Sequence, residues 1–89
     1  MKKLTDRLTL MLQFLIGAHG EYITIRDVSD HLDVSEKTVK RELPAAEEWL
    51  RQHELKLIRK PGTGLALEGE ETALHAARHE LEGQTPRKD

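Results

Sequence analysis

The sequence predicts a mainly α-helical domain that contains one small β-hairpin. Three observations support this prediction. Apolar residues recur at helical spacing, capping residues precede three of these segments, and alternating strands flank a turn rich in Pro and Gly. A chain of 89 residues makes one small domain. We expect this domain over residues 1–69, followed over 70–89 by a linker helix and a frayed tail.

The first helix is predicted over about residues 6–18. Thr5 suits the N-cap position, and Gly20 is the residue type that ends helices in the left-handed conformation. Its apolar face, which Leu10 and Phe14 are expected to widen, contains Leu4, Leu8, Met11, Leu12, Leu15 and Ile16. Tyr22 and Ile23 then form a short connector, which we expect to pair with the later hairpin.

Two further helices are predicted from capping residues eleven positions apart. Thr24 begins the second helix, with Asp27 in the acidic position of a capping box, and this helix ends near Leu32. Ser35 begins the third helix. Its buried stripe steps by four, three and four through Val39, Leu43, Ala46 and Leu50.

Pro44 conflicts with a long third helix. A proline inside a helix removes a hydrogen bond and costs about 3 kcal/mol, and it favours extended geometry at Leu43. We therefore expect a kink, or a break between a recognition helix near 36–43 and a segment near 45–53. Eight residues still span about 12 Å, which is enough for two turns of side chains in a major groove.

A β-hairpin follows, with Leu55, Leu57 and Ile58 in its first strand and Leu65 and Leu67 in its second. The turn between the strands, residues 60–64, is Lys-Pro-Gly-Thr-Gly. Helix, helix, turn, helix and hairpin is the order of a winged helix-turn-helix, in which the third helix reads DNA and the hairpin is the wing.

The polar face of the third helix has the chemistry for DNA contact. Lys37, Lys40 and Arg41 are donors that match phosphates and the guanine edge, and the helix N-terminus presents backbone amides. Glu36 can accept from a cytosine amine, and the wing tip can reach the adjacent backbone. The predicted DNA-binding residues are Thr24, Ser35, Glu36, Lys37, Thr38, Lys40, Arg41, Arg59, Lys60 and Thr63.

Each of these assignments has an alternative. The three cations of the third helix also fit an ordinary solvated face, and Arg41 could instead pair with Asp27, Asp30 or Glu42. The formal net charge of −2 is low for a DNA-binding protein, so we expect modest affinity and strong salt dependence. The alternative function is a winged-helix module that binds protein without contacting DNA.

Other classes of function find little support. The chain contains no cysteine, and its histidines, serines and aspartates show no catalytic spacing, so we expect neither an enzyme nor a cofactor. His75 and His79 lie four apart, but Arg78 between them disfavours a metal. The apolar run 8–18 is too short to span a membrane, and no signal peptide is evident. We expect a soluble, cytoplasmic protein.

Residues 22–69 resemble the N-terminal domain of transcriptional regulators that contain phosphotransferase-system regulation domains (PRDs), such as mannitol operon activators. The family pattern is roughly Val-Ser-x-Arg-Thr-Ile-x-Arg-Asp-Leu, and here Lys37 replaces its first arginine and Glu42 its aspartate. The wing pattern is matched at Lys60, Gly62, Gly64, Leu67 and Gly69. Deoxyribose-type and biotin-type repressors share a similar domain.

The resemblance implies that the chain is a fragment of a larger sugar-operon regulator, which phosphorylation controls through its PRDs. It also implies that double-stranded operator or promoter DNA is the partner. Such modules usually read two half-sites as dimers, so a homodimer of the full-length protein is an open alternative.

Overall fold

The computed structural model describes residues 5–83, which contain four α-helices and one two-stranded antiparallel sheet. The helices are α1 (Asp6–Gly17), α2 (Ile25–Leu32), α3 (Glu36–Gln52) and α4 (Glu71–Glu82), and the strands are β1 (Lys56–Lys60) and β2 (Gly64–Glu68). This order confirms the predicted fold class, a mainly α-helical winged helix-turn-helix. The predictions for Leu4 and for the tail after Gly83 lie outside the described residues.

Side-chain caps begin the first three helices, as the sequence predicts. Thr5 Oγ1 accepts from the Leu8 amide at 3.1 Å. Thr24 Oγ1 accepts from the Asp27 amide at 3.0 Å, and Asp27 Oδ2 accepts in return from the Thr24 amide at 2.9 Å. Because these caps lie within four residues of sequence, they position the start of each helix without help from the rest of the fold.

One hydrophobic core joins the four helices to the inner face of the wing. Its largest fully buried side chains include Met11, Leu12, Leu15 and Ile16 from α1, Val28 from α2, Val39, Leu43 and Leu50 from α3, and Leu81 from α4. Leu65 and Leu67 enter the same core from β2. The helices that contain the predicted DNA-binding residues are therefore held in place mainly by burial of their apolar faces.

Two predictions for α1 are wrong. Leu10 is 48% exposed and does not widen the buried face, because it lies on the side of α1 opposite Leu8, Leu12 and Leu15. The C-cap is Ala18 rather than Gly20. Gly20 does adopt a left-handed backbone, with φ of 87°, but in the turn that follows the helix.

α3 runs without a break through Pro44, so the predicted division into two segments is wrong. Leu43, Ala46 and Leu50 are 2% exposed or less and face the core on both sides of the proline. Pro44 itself is exposed, as is Lys40, whose carbonyl lacks the usual amide donor. Burial of the apolar stripe of α3 stabilises the helix by about 1.5–3 kcal/mol for each leucine. The sum exceeds the cost of a proline inside a helix, which is about 3 kcal/mol.

The wing is a hairpin in which Lys60 pairs with Gly64 around a turn of three residues. The Thr63 amide donates to the Lys60 carbonyl at 3.0 Å. Ile23 forms an antiparallel bridge with Leu65, which confirms the predicted pairing of the connector with the hairpin. Its amide donates to the Leu65 carbonyl at 2.8 Å, and the Leu65 amide donates back at 2.5 Å.

α4 packs against α1 through Leu74, Ala77 and Leu81, which are 7%, 0% and 1% exposed. Its apolar stripe is thus part of the same core as the three preceding helices. The division of the chain at residue 69 stays a prediction about whether the preceding residues fold alone.

Candidate nucleic-acid interface

The N-terminal half of α3 presents three cations to solvent. Lys37, Lys40 and Arg41 are exposed, and among residues 5–83 none of them forms an ion pair. The alternative pairing of Arg41 with Asp27, Asp30 or Glu42 is absent among residues 5–83. Glu42 Oε2 instead lies 3.5 Å from Nη1 of Arg7. These three donors are therefore available to a partner outside the domain.

A groove lies between the start of α3 and the tip of the wing. Its lining contains six of the predicted DNA-binding residues, namely Thr24, Glu36, Lys40, Arg59, Lys60 and Thr63. Lys40 comes from α3, while Arg59 and Lys60 come from the wing, so the two basic clusters of the sequence meet here. Glu36 is the one carboxylate in this lining. The groove consequently has an excess of positive charge although the whole chain is slightly acidic.

The remaining four predicted residues, Ser35, Lys37, Thr38 and Arg41, lie on α3 outside that lining. Ser35 Oγ accepts from the Thr38 amide at 3.1 Å and lies 3.0 Å from Thr38 Oγ1. Both hydroxyls are thus part of the helix cap, which orients the first turn of α3. The other amides of that turn point out of the helix end, as an anion-binding N-terminus requires.

Both cations at the wing have partners that the sequence did not predict. Arg59 Nη2 donates to Oε1 of Glu47 on α3 at 2.6 Å. Lys60 Nζ lies 5.8 Å from the ring centroid of Tyr22, which is within range of a cation–π contact. Tyr22 is 49% exposed and lies beside the groove through this contact.

Sequence reasoning missed Glu47 because it lies 12 positions from Arg59, beyond any helical or strand spacing. The sequence did contain a signal for the Tyr22 contact. Tyr22 is aromatic and directly precedes Ile23, which was expected to pair with the basic hairpin. Both contacts depend on how the wing packs against the helices.

The interface has hydrogen-bond donors and positive charge but no arrangement typical of catalysis or metal binding. Within residues 5–83, no three His, Cys, Asp or Glu side chains are grouped to hold a metal ion. His75 and His79 are both exposed. Throughout the described part of the chain, no helix is both long enough and apolar enough to cross a membrane.

Comparison with known proteins agrees with this geometry. The family model described as "HTH domain" matches residues 7–65. Transcriptional regulator ManR of Bacillus subtilis (strain 168) is 35% identical over 72 residues, which is 80% of this chain and 11% of that protein. The chain thus spans about a tenth of the length of this relative. No solved structure matches. These matches confirm the resemblance of the domain to that of a transcriptional regulator.

Proposed function

We propose, from the premise that the chain belongs to the helix-turn-helix domain family, that it reads a specific sequence of double-stranded DNA. The family is one of DNA-binding regulators rather than enzymes. In the proposed complex, the N-terminal half of α3 enters the major groove and the wing contacts the adjacent backbone.

The observation that supports this proposal best is the groove between α3 and the wing. Lys40, Arg59 and Lys60 reach it from two elements that are distant in sequence. A solvated helix face needs no such convergence, whereas a DNA backbone that passes between a recognition helix and a wing requires donors from both.

Charge and size are consistent with one DNA half-site. The exposed turns of α3 from Glu36 to Leu43 span about 12 Å, which matches the width of a major groove. Five cations face the proposed DNA, namely Lys37, Lys40, Arg41, Arg59 and Lys60. If each neutralises one phosphate, the slope of log K against log salt is about −4.5. Binding should therefore be strong at low salt and fall steeply as salt increases.

The proposed biological role is supported by one relative and by the resemblance of the sequence patterns. ManR is named a transcriptional regulator, and the wing and helix patterns resemble those of PRD-containing sugar-operon activators. We therefore propose that the domain directs a regulator of a phosphotransferase-system operon to its operator or promoter, in the cytoplasm. A homodimer of the full-length protein would place two such domains on two half-sites.

Selection from a random duplex library, followed by salt titration of the selected and a scrambled duplex, tests this proposal. We expect preference for the selected duplex and a slope near −4.5. Absence of binding at low salt would exclude DNA recognition by this domain. It would leave the protein-binding module, which the net charge of −2 favours.

Footprinting then tests the orientation. Lys40→Ala and Arg41→Ala should lose protection in the major groove, and Lys60→Ala should lose it on the flanking backbone. Unchanged protection with the two α3 variants would remove this helix from the groove.

A further inference from the structure

We infer that Glu47 is an internal competitor for the phosphate contact of Arg59, so that DNA must displace this carboxylate to bind the wing. The inference rests on the proposed function, because it concerns how tightly the same interface holds DNA. It assigns a role to a residue of α3 that does not itself line the groove.

Arg59 lies between two environments. The residue is part of the lining of the groove that contains Lys40 and Lys60. Its Nη2 atom, however, donates to Glu47 Oε1 at 2.6 Å, on the side where Glu47 and Glu48 line a separate shallow depression. The Arg59 and Glu47 side chains are 51% and 37% exposed, so either can move without disturbing the core.

Electrostatics favours the Glu47 contact while no DNA is bound. In the groove the guanidinium shares space with two lysines and a single carboxylate, Glu36. Like charges disfavour that position, and Glu47 offers an opposite charge at hydrogen-bond distance. A phosphate in the groove reverses this balance, because it neutralises the lysines and accepts two parallel hydrogen bonds from the guanidinium fork.

The size of the effect follows from the exposure of the pair. Exposed ion pairs contribute a small free energy, equivalent to about a two- to five-fold change in an equilibrium constant. Glu47 should therefore weaken the binding of any duplex by about that factor. The effect should be nearly independent of base sequence, since the contact it opposes is to phosphate.

Glu48 provides a matched control at the next position. It pairs with Arg51 and accepts from Gln52 Nε2 at 3.2 Å, both within α3. Among the described residues it forms no ion pair with the wing. Glu48→Gln and Glu47→Gln remove the same charge from adjacent positions on one helix. Any difference in DNA affinity between them therefore reports the release of Arg59 rather than the change in net charge.

The experiment measures the binding of one selected duplex by the wild type, Glu47→Gln and Glu48→Gln at fixed salt. It repeats the measurement with Arg59→Ala and with each of the two Gln variants combined with Arg59→Ala. We expect Glu47→Gln to bind two- to five-fold more tightly than Glu48→Gln. This advantage should disappear in the Arg59→Ala background. Equal affinities of the two single variants, or weaker binding by Glu47→Gln, would overturn the inference.

Glu47→Asp keeps the charge but withdraws the carboxylate by one methylene, so it should also tighten binding if release of Arg59 is the cause. Trp49, the single tryptophan, reports folding of every variant. If Glu47→Gln does not fold, the inference is tested with Glu47→Asp alone. An affinity of Glu47→Asp equal to that of the wild type would then overturn the inference. Failure of the wild type to bind any duplex would instead refute the proposed function.

Discussion

The two parts of the interface, the N-terminal half of α3 and the wing, are held in place by different means. α3 begins at a cap that joins two residues three positions apart, and it is packed through a stripe of buried side chains. The wing is also buried, through Leu65 and Leu67, and the bridge from Ile23 joins it to the connector. Its two cations, however, are positioned by exposed contacts with distant residues, namely the Glu47 carboxylate and the Tyr22 ring. The helix cations are without ion pairs in the described residues, whereas Arg59 has one.

This difference suggests separate roles for the two parts, with α3 setting sequence specificity and the wing adapting to the DNA backbone. A helix that is capped locally and buried behind presents its donors at fixed positions, as base recognition requires. The wing is anchored in the core by Leu65 and Leu67, but its exposed cations are held only by side-chain contacts and can adjust as the backbone of the DNA varies. Variants of the two parts should therefore differ in kind, with helix variants changing sequence preference and wing variants changing general affinity and salt dependence.

The largest effect is expected where the wing joins the helices, at Gly64. Its φ is 130°, and an added Cβ would clash with the carbonyl oxygen of Ile23, which accepts one hydrogen bond of the bridge. Gly64→Ala should lower the free energy of unfolding by about 3 kcal/mol, through backbone strain and loss of the bridge. Urea unfolding followed by Trp49 fluorescence measures it.

Gly62→Ala is the matched control for that variant. Gly62 also has a positive φ, 78°, but an added Cβ meets nothing within 4 Å. The strain alone should cost about 1–2 kcal/mol. If both variants lose the same stability, the bridge to Ile23 does not hold the wing.

The same contrast explains what the sequence could predict. Thr5, Thr24 and Ser35 cap helices through partners three residues away, so the helix starts follow from local pattern. The Lys60–Gly64 turn is equally local. The partner of Arg59 lies 12 residues away on another element, and no periodicity connects the two. The donors themselves can be predicted from residue type and local pattern, whereas their partners in the free protein depend on the tertiary fold.

At Pro44 a local rule gave the wrong prediction, because it ignored the packing of the rest of α3. Its intrinsic helix propensity argues for a break, but the core holds Leu43 and Ala46 on either side of it. Because Pro44 is exposed, its ring takes up no space in the core. The stabilisation from this burial cannot be estimated from the sequence, because it depends on which face of α3 the other helices cover.

The next largest effect tests the helix side of the comparison. Lys40→Ala and Arg41→Ala should each weaken binding to the selected duplex about tenfold, or about 1.4 kcal/mol, and reduce base preference at the contacted position. Arg51→Ala removes the same charge from the far end of α3, where Arg51 is paired with Glu48, and should change affinity far less. Electrophoretic mobility shift with single-base variants of the duplex measures both quantities. Equal losses for all three would mean that only net charge matters.

A smaller effect is expected from removal of the cap that begins α3. Ser35→Ala removes the acceptor for the Thr38 amide and should cost about 1 kcal/mol of stability. It should also lower DNA affinity, because the first turn of α3 lies in the interface. Thr5→Ala removes the equivalent cap of α1 and should cost similar stability with no loss of affinity. Similar affinity losses for the two would show that the Ser35 effect is one of stability alone.

The smallest expected effect concerns Tyr22, and it tests whether side-chain contacts position the wing cations. Tyr22→Leu keeps apolar bulk but removes the ring beneath Lys60, an exposed cation–π contact worth about 0.5–1 kcal/mol. Without it Lys60 is less ordered, so affinity should fall about twofold, whereas Tyr22→Phe keeps the ring and should match the wild type. Titration by fluorescence anisotropy resolves this difference. If Tyr22→Phe loses as much as Tyr22→Leu, the hydroxyl contacts DNA itself, and Tyr22 then belongs to the reading surface as a direct ligand of the phosphate backbone.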